Sequence, residues 1–214
     1  MTWAGAKEVG PFAVLVFTGL CFFSGGLRAT PLSDAVSLFK QKRYGEAKAL
    51  LEPLAAAQPP NPSACYYLAL TVQEIGGPKA LDSALALLGT ATRLEPDNEV
   101  YLAEYAGVCL LLAGRDSSFS MALEGRNAMS RAIEQNPADL DAREGLMTFY
   151  AQAPWPLGDA DKAFEQARAI AARDPRRGAA AYRTIAAIFQ KDGRGGLAES
   201  AGKEAQNLAR GLPR

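Results

Sequence analysis

Five prolines, Pro59, Pro96, Pro137, Pro175 and Pro213, each stand twelve residues after a small residue: Ala47, Ala84, Gly125, Ala163 and Ala201. The steps from one small residue to the next are 37, 41, 38 and 38 residues. Self-similarity at such a period marks an array of stacked supersecondary units. Three residues before each anchor stand Tyr44, Leu81, Ala122, Ala160 and Ala198; four after stand Leu51, Leu88, Met129, Ala167 and Ala205. Seven after stand Leu54, Ala91, Ala132, Ile170 and Leu208. All are apolar, and i, i+3, i+4, i+7 is the stripe of an amphipathic helix. Proline then stops each helix, because it lacks an N–H and disfavours helical geometry in the residue before it.

A second helical stretch lies between each proline and the next anchor, as in Cys65–Val72, Tyr101–Cys109, Gly145–Tyr150 and Tyr182–Phe189. Each unit therefore reads as a helix hairpin. Asn61 before Pro62, Asp97 or Asn98, and Asp159 supply start signals. Breakers fall where hairpin turns belong: Gly76-Gly77-Pro78, the stretch 114–118, the stretch 154–158, and Gly193-Arg194-Gly195-Gly196. The same grammar recurs throughout, so residues 30–214 form one all-α repeat domain with no second domain in view.

The first unit runs from Ala35 through Phe39, Tyr44, Ala47 and Leu51 to Pro59, and it resembles a tetratricopeptide repeat (TPR). In that family small residues on the two helices pack together, an aromatic opens the second helix and proline closes the unit. The resemblance covers residues 32–213 and weakens in the third unit, where Ala122 and Gly125 replace the usual aromatic and alanine. It implies an α-α solenoid, a right-handed superhelix of about five hairpins. These units exceed the family's usual length, and the extra residues are expected in the hairpin turns, where insertion costs little. A longer relative of this repeat is the rival architecture; the closing prolines favour the tetratricopeptide reading.

The resemblance also implies a concave wall, formed by the first helix of each hairpin, that binds a protein or peptide. Carried onto this chain, the wall comprises Phe39 and Lys40; Tyr66, Leu70, Gln73 and Glu74; Leu110 and Leu111; Asp141, Glu144, Thr148 and Gln152; and Tyr182, Ala186, Phe189 and Gln190. The repeat, taken with the apolar N-terminal run read below as an export segment, points to a non-catalytic scaffold or adaptor of the cell envelope. The alternative is an exported small-ligand-binding protein associated with a transport system, which needs a deep pocket bounded by Tyr66, Leu110 and Phe189.

Composition narrows the other classes. Lys plus Arg equals Asp plus Glu at 23 each, which removes the electrostatic footprint of nucleic-acid binding. The chain has no histidine, hence lacks the commonest general base and metal ligand. No nucleophile elbow, zinc spacing or nucleotide fingerprint occurs; Gly193–Gly196 lacks the preceding strand and the Lys-Ser or Lys-Thr that a phosphate loop needs. No catalytic residue, cofactor or metal is expected.

Residues 1–29 read as a leader. Pro11–Phe23 is a thirteen-residue apolar run followed by the small residues Ser24, Gly25 and Gly26, the pattern of a secretory signal. An uncleaved anchor over residues 9–27, which carry no charge, or a buried helix of the mature fold, are the alternatives. The protein is thus expected to be exported, periplasmic or otherwise extracytoplasmic, touching membrane only through a retained leader. Leu20 before Cys21 disfavours lipidation.

Three further features have alternative readings. Cys65 and Cys109 are expected as buried thiols, because their axial offset on neighbouring first helices, roughly 10 Å, exceeds the reach of a disulfide. Trp155, between two prolines, either covers the apolar layer beneath its loop or presents a tip to a partner. Arg173, Arg176, Arg177 and Arg183 form either a solvated face or a contact for acidic groups.

Overall fold

The computed structural model describes residues 30–211; the leader and Pro213 lie outside the described residues. Ten helices pair into five hairpins among them. The first is α1 (Pro31–Lys40) with α2 (Tyr44–Ala55), and the second is α3 (Pro62–Ile75) with α4 (Ala80–Leu94). The third is α5 (Glu99–Asp116) with α6 (Phe119–Gln135), and the fourth is α7 (Leu140–Gln152) with α8 (Ala160–Arg173). The fifth is α9 (Pro175–Lys191) with α10 (Gly195–Arg210). Consecutive helices pack in series, α1 touches α3, and α7 touches α9. First helices thus form one layer and second helices the other.

Local chemistry sets the helix starts. The side chains of Thr30, Asn61, Asn98, Ser118, Asp139, Asp159 and Asp174 each accept a backbone N–H from the first turn of the helix they open. Each cap satisfies donors that a helix leaves unpaired. The fourth proline differs from expectation. Pro175 is the first residue of α9, and Asp174 serves both as last cap of α8 and first cap of α9. Proline fits there because the N–H it lacks is not needed in the first turn.

Two expected turns also differ. Gly114, Arg115 and Asp116 remain in α5, leaving only Ser117 and Ser118 between α5 and α6. Arg115 donates to Asp82 at 2.9 and 3.0 Å and to Asp116 at 2.7 and 2.8 Å, tying the lengthened end of α5 to α4. The extra residues of the third unit therefore lengthen helices instead of a loop. At the last hairpin Gly195 and Gly196 belong to α10, and Gly193 makes the turn with φ +72°. Lys42 holds the same place between α1 and α2 with φ 61°.

Small residues seal the crossings as the repeat required. Ala47, Ala84, Ala163 and Ala201 are fully buried, and Gly125 is buried with them. Gly125 cannot be larger without movement: a Cβ there would lie 2.8 Å from Leu110 Cδ2 and 3.0 Å from the Ala106 carbonyl oxygen. Around the crossings Leu51, Leu88, Ile170 and Phe189 are completely buried, each contributing about 1.5–3 kcal/mol by leaving water. One core runs from α5 to α10, and a smaller one joins α1, α2 and α3. At the open end, Lys203, Glu204, Gln206, Asn207 and Arg210 of α10 are exposed, the polar cap a stacked array needs.

Candidate functional site

The first-helix layer is not closed throughout. Gln73 of α3 donates to Glu104 of α5 at 3.1 Å, and Tyr66 stacks on Tyr101 with ring centroids 5.1 Å apart. Between α5 and α7 lies an open groove of about 680 Å³. Leu110 and Leu111 of α5 form one wall, while Glu144, Thr148 and Gln152 of α7 form the other. Ala122 and Met129 of α6 contribute to the lining beneath. Leu111 is 57% exposed.

Two helical glycines border the groove. Gly107 and Gly114 lie two helical turns apart on α5, and a Cβ at either would meet nothing within 4 Å. Glycine inside a helix costs roughly 1 kcal/mol relative to alanine, and close packing does not account for it here. The space beside both residues belongs to the groove. Gly145 differs, because a Cβ there would come 2.8 Å from Met129 Cε; its absence lets the methionine reach the groove.

Five of the expected wall residues therefore meet in one place: Leu110, Leu111, Glu144, Thr148 and Gln152. The others are dispersed. Phe39 stacks on Tyr44 and Tyr67 at 5.6 and 5.8 Å, and Lys40 is exposed at the end of α1. Tyr66 and Leu70 are half-buried, and Glu74, Asp141 and Gln190 are exposed. Tyr182 and Phe189 require correction as contact residues: they are 3% and 0% exposed. Both turn into the core beside Phe164, at 6.1 and 6.0 Å, and Arg194 lies over Phe189 at 4.3 Å. Phe189, fully buried, does not border an open pocket with Tyr66 and Leu110 among the described residues.

Trp155 does not cover the apolar layer beneath its loop. It is 90% exposed, while Leu157, at 7%, fills the apolar layer under the same loop. The neighbouring Pro154 lines the groove, and Phe119 at the start of α6 is 56% exposed. Cys65 and Cys109 are free and buried. Burial pushes the Cys109 thiol up to about 11 and raises Cys65 in the same direction.

The charges beside the groove are organised. Arg177 of α9 donates to Glu144 at 2.9 Å and also to Asp141, so one of the four clustered arginines joins α9 to α7. Those two hydrogen bonds push the guanidinium above its ordinary range. Arg143 faces away, donating to the Pro137 carbonyl oxygen at 3.1 Å and Gln166 at 2.9 Å. Burial, reinforced by the charge of Glu104, pushes Tyr66 up to about 12. Among the described residues no group of His, Cys, Asp or Glu is placed to hold a metal, and no helix is long and apolar enough to cross a membrane.

No protein-family model and no curated protein matches the chain. Solved structures do. A crystal structure of MamA aligns over 86% of this chain and 95% of its own, with a TM-score of 0.67 at 18% identity. The AMB-1 form of MamA aligns over 86% and 92%, with a TM-score of 0.64 at 21% identity. YrrB, described as a TPR protein with an unusual peptide-binding site, aligns over 85% and 86%, with a TM-score of 0.65 at 18% identity. The fold is a tetratricopeptide-like solenoid. Within this tetratricopeptide-like framework, sequence reading missed Gly107, Ala122, Met129, Phe149 and Pro154 as groove-lining residues. The seven-residue spacing of Gly107 and Gly114 was the available signal, hidden because Gly114 read as a turn.

Proposed function

We propose that this protein is a non-catalytic scaffold that holds a segment of a protein partner in the groove between α5 and α7. The observation that carries the reading is the exposed apolar groove itself, bordered by two helical glycines with open space beside them. Apolar surface of this kind, bordered by polar groups, is what docking sites present to partners. The peptide-binding site named for YrrB supports the same reading. The apolar leader at residues 11–23 supports an extracytoplasmic site of action, in the cell envelope.

Photocrosslinking tests the binding role. A photoreactive residue at Leu111 is expected to give a discrete protein adduct in intact cells, whereas one at Arg168, exposed on α8, gives none. Gly107→Leu fills the groove and is expected to abolish the Leu111 adduct. Adducts that persist in Gly107→Leu, or form equally from Arg168, would refute the site. N-terminal sequencing of protein from fractionated cells tests the leader: a mature start between residues 25 and 30 in the extracytoplasmic fraction is expected. A full-length chain in the cytoplasm would refute the location.

A further inference from the structure

We infer that the second-helix layer carries a separate binding site, which takes a short zwitterionic peptide in the cleft between α4 and α6. The cleft has a volume of about 430 Å³, the size of small-molecule sites. Glu124, Asn127, Ala128 and Arg131 of α6 form one wall, at the i, i+3, i+4 and i+7 positions of a single face. Gly89 and Arg93, one turn apart on α4, belong to the other. Helix α5 packs against both and supplies Leu102 and Tyr105 between the walls. The Tyr105 ring lies against Gly89, where a Cβ would come 3.7 Å from its Cε2.

The two ends of the cleft carry opposite charge. Arg93 stands in the last turn of α4, and Arg131 donates to the Pro96 carbonyl oxygen at 2.7 Å, so both arginines belong to the end where α4 stops. Neither guanidinium is paired with a carboxylate among the described residues; Arg93 donates to the Thr90 hydroxyl at 3.4 Å. Two cations in one cleft repel each other, and a carboxylate held between them relieves both. Glu124 lies seven residues before Arg131, roughly 10 Å along the helix, and accepts from the Tyr105 hydroxyl at 3.5 Å. That end suits a cation. The neighbouring charges are engaged elsewhere: Glu95 accepts from Asn98 at 2.9 Å, Asp97 from Gln135 at 3.5 Å, and Asp82 is held by Arg115. Glu134, the next carboxylate on α6, does not line the cleft.

The stretch between the two ends is suited to peptide groups. Asn127 accepts two N–H groups of Arg126 through Oδ1, at 2.9 and 3.3 Å, which fixes its amide and leaves the amide nitrogen as a donor for a carbonyl. Thr92, also in the lining, donates its hydroxyl to the Leu88 carbonyl oxygen at 3.0 Å, so its oxygen can accept an N–H. Leu102 and Ala128 offer apolar surface to a side chain between them. Three extended residues reach about 10 Å, which matches the separation of the charges. Such a peptide places its carboxylate at Arg93 and Arg131 and its ammonium at Glu124, a mode in which both chain termini are captured.

Titrations of the full chain followed by saturation-transfer NMR test this, with the free tripeptide Ala-Leu-Ala, its C-terminal amide and its N-acetyl form as probes. The free tripeptide is expected to bind, the amide about fivefold more weakly and the acetyl form about threefold more weakly, the scale of exposed ion pairs. Combined Arg93→Gln and Arg131→Gln should bring the free tripeptide down to the affinity of its amide and leave the amide unchanged. Glu124→Gln should erase the effect of acetylation alone. All three side chains are exposed, so these variants are expected to fold, which far-UV circular dichroism checks. Gly89→Leu fills the cleft and should abolish binding of every probe. An amide that binds as tightly as the free peptide overturns the carboxylate assignment. If acetylation costs nothing, the cleft takes the C-terminus of a longer chain and the zwitterionic assignment falls. Absence of binding, or binding that survives Gly89→Leu, overturns the site itself and leaves the α5–α7 groove untouched.

Discussion

The same chemical change, glycine to alanine within a helix, should act with opposite sign at Gly178 and at Gly107. At Gly178 an added Cβ would lie 2.4 Å from both Cα and Cβ of Ala171 and 3.0 Å from its nitrogen, at the crossing of α8 and α9. These atoms belong to backbone or to a methyl with nowhere to rotate, so the helices must separate. Overpacking typically costs about 1–3 kcal/mol, and contact this close belongs at the upper end; the propensity gain of alanine, roughly 1 kcal/mol, offsets part. The net expectation is a loss of about 2 kcal/mol. Gly107 meets nothing within 4 Å, so alanine there keeps the propensity gain, about 0.5–1 kcal/mol. Urea unfolding of the full chain followed by far-UV circular dichroism reads both. With a slope near 2 kcal/mol/M, Gly178→Ala should lower the midpoint by about 1 M and Gly107→Ala raise it by roughly 0.3–0.5 M. Shifts of the same sign would refute the claim that close contact requires glycine at Gly178 and that none does at Gly107.

Three further outcomes follow from positions already described. Lys42 holds a left-handed turn with φ 61°, so Lys42→Gly should stabilise the chain by about 0.5–1 kcal/mol in the same urea assay. The buried thiols of Cys65 and Cys109, both raised by burial, should resist alkylation at pH 8 in the native chain and react after urea is added, read by peptide mass mapping. Raising the pH should destabilise the fold between about pH 10 and 12, because Tyr66 is neutral in the fold up to about 12 while the unfolded chain ionises near 10. Its stability is complete below the lower value and lost through the upper one. The two-unit rise corresponds to at most about 2.7 kcal/mol, roughly halved by screening at a partly exposed ring, and Tyr66→Phe should flatten the high-pH decline.

The hairpin count and crossings were legible because they rest on short-range steric rules. A small residue is required where two helices touch, and Ala47, Ala84, Ala163 and Ala201 all proved fully buried. The contact surface was less legible, because periodicity tells which face of a helix is apolar but not which neighbour covers it. Phe189 and Leu111 read alike in sequence. One is covered by Phe164, Arg194 and the surrounding core, while the other faces a gap. Deciding between them takes the lengths and relative positions of four helices, which the spacing of anchors does not fix.

The gap falls where the repeat is least regular. The longest step between anchors, 41 residues from Ala84 to Gly125, was absorbed by α5 and α6, which reach 18 and 17 residues, while the next first helix, α7, has 13. A hairpin lengthened by a turn cannot match a shorter neighbour along its whole face, and the seam between α6 and α7 is the slightest of the four between consecutive hairpins. The mismatch leaves Gly107, Leu111 and Gly114 of α5 without a covering helix. In a stacked array each unit interacts only with its neighbours, so one such mismatch opens a site without loosening the others. Shortening α5 and α6 together by a turn would be expected to close the groove, because it removes the overhang that α7 cannot cover.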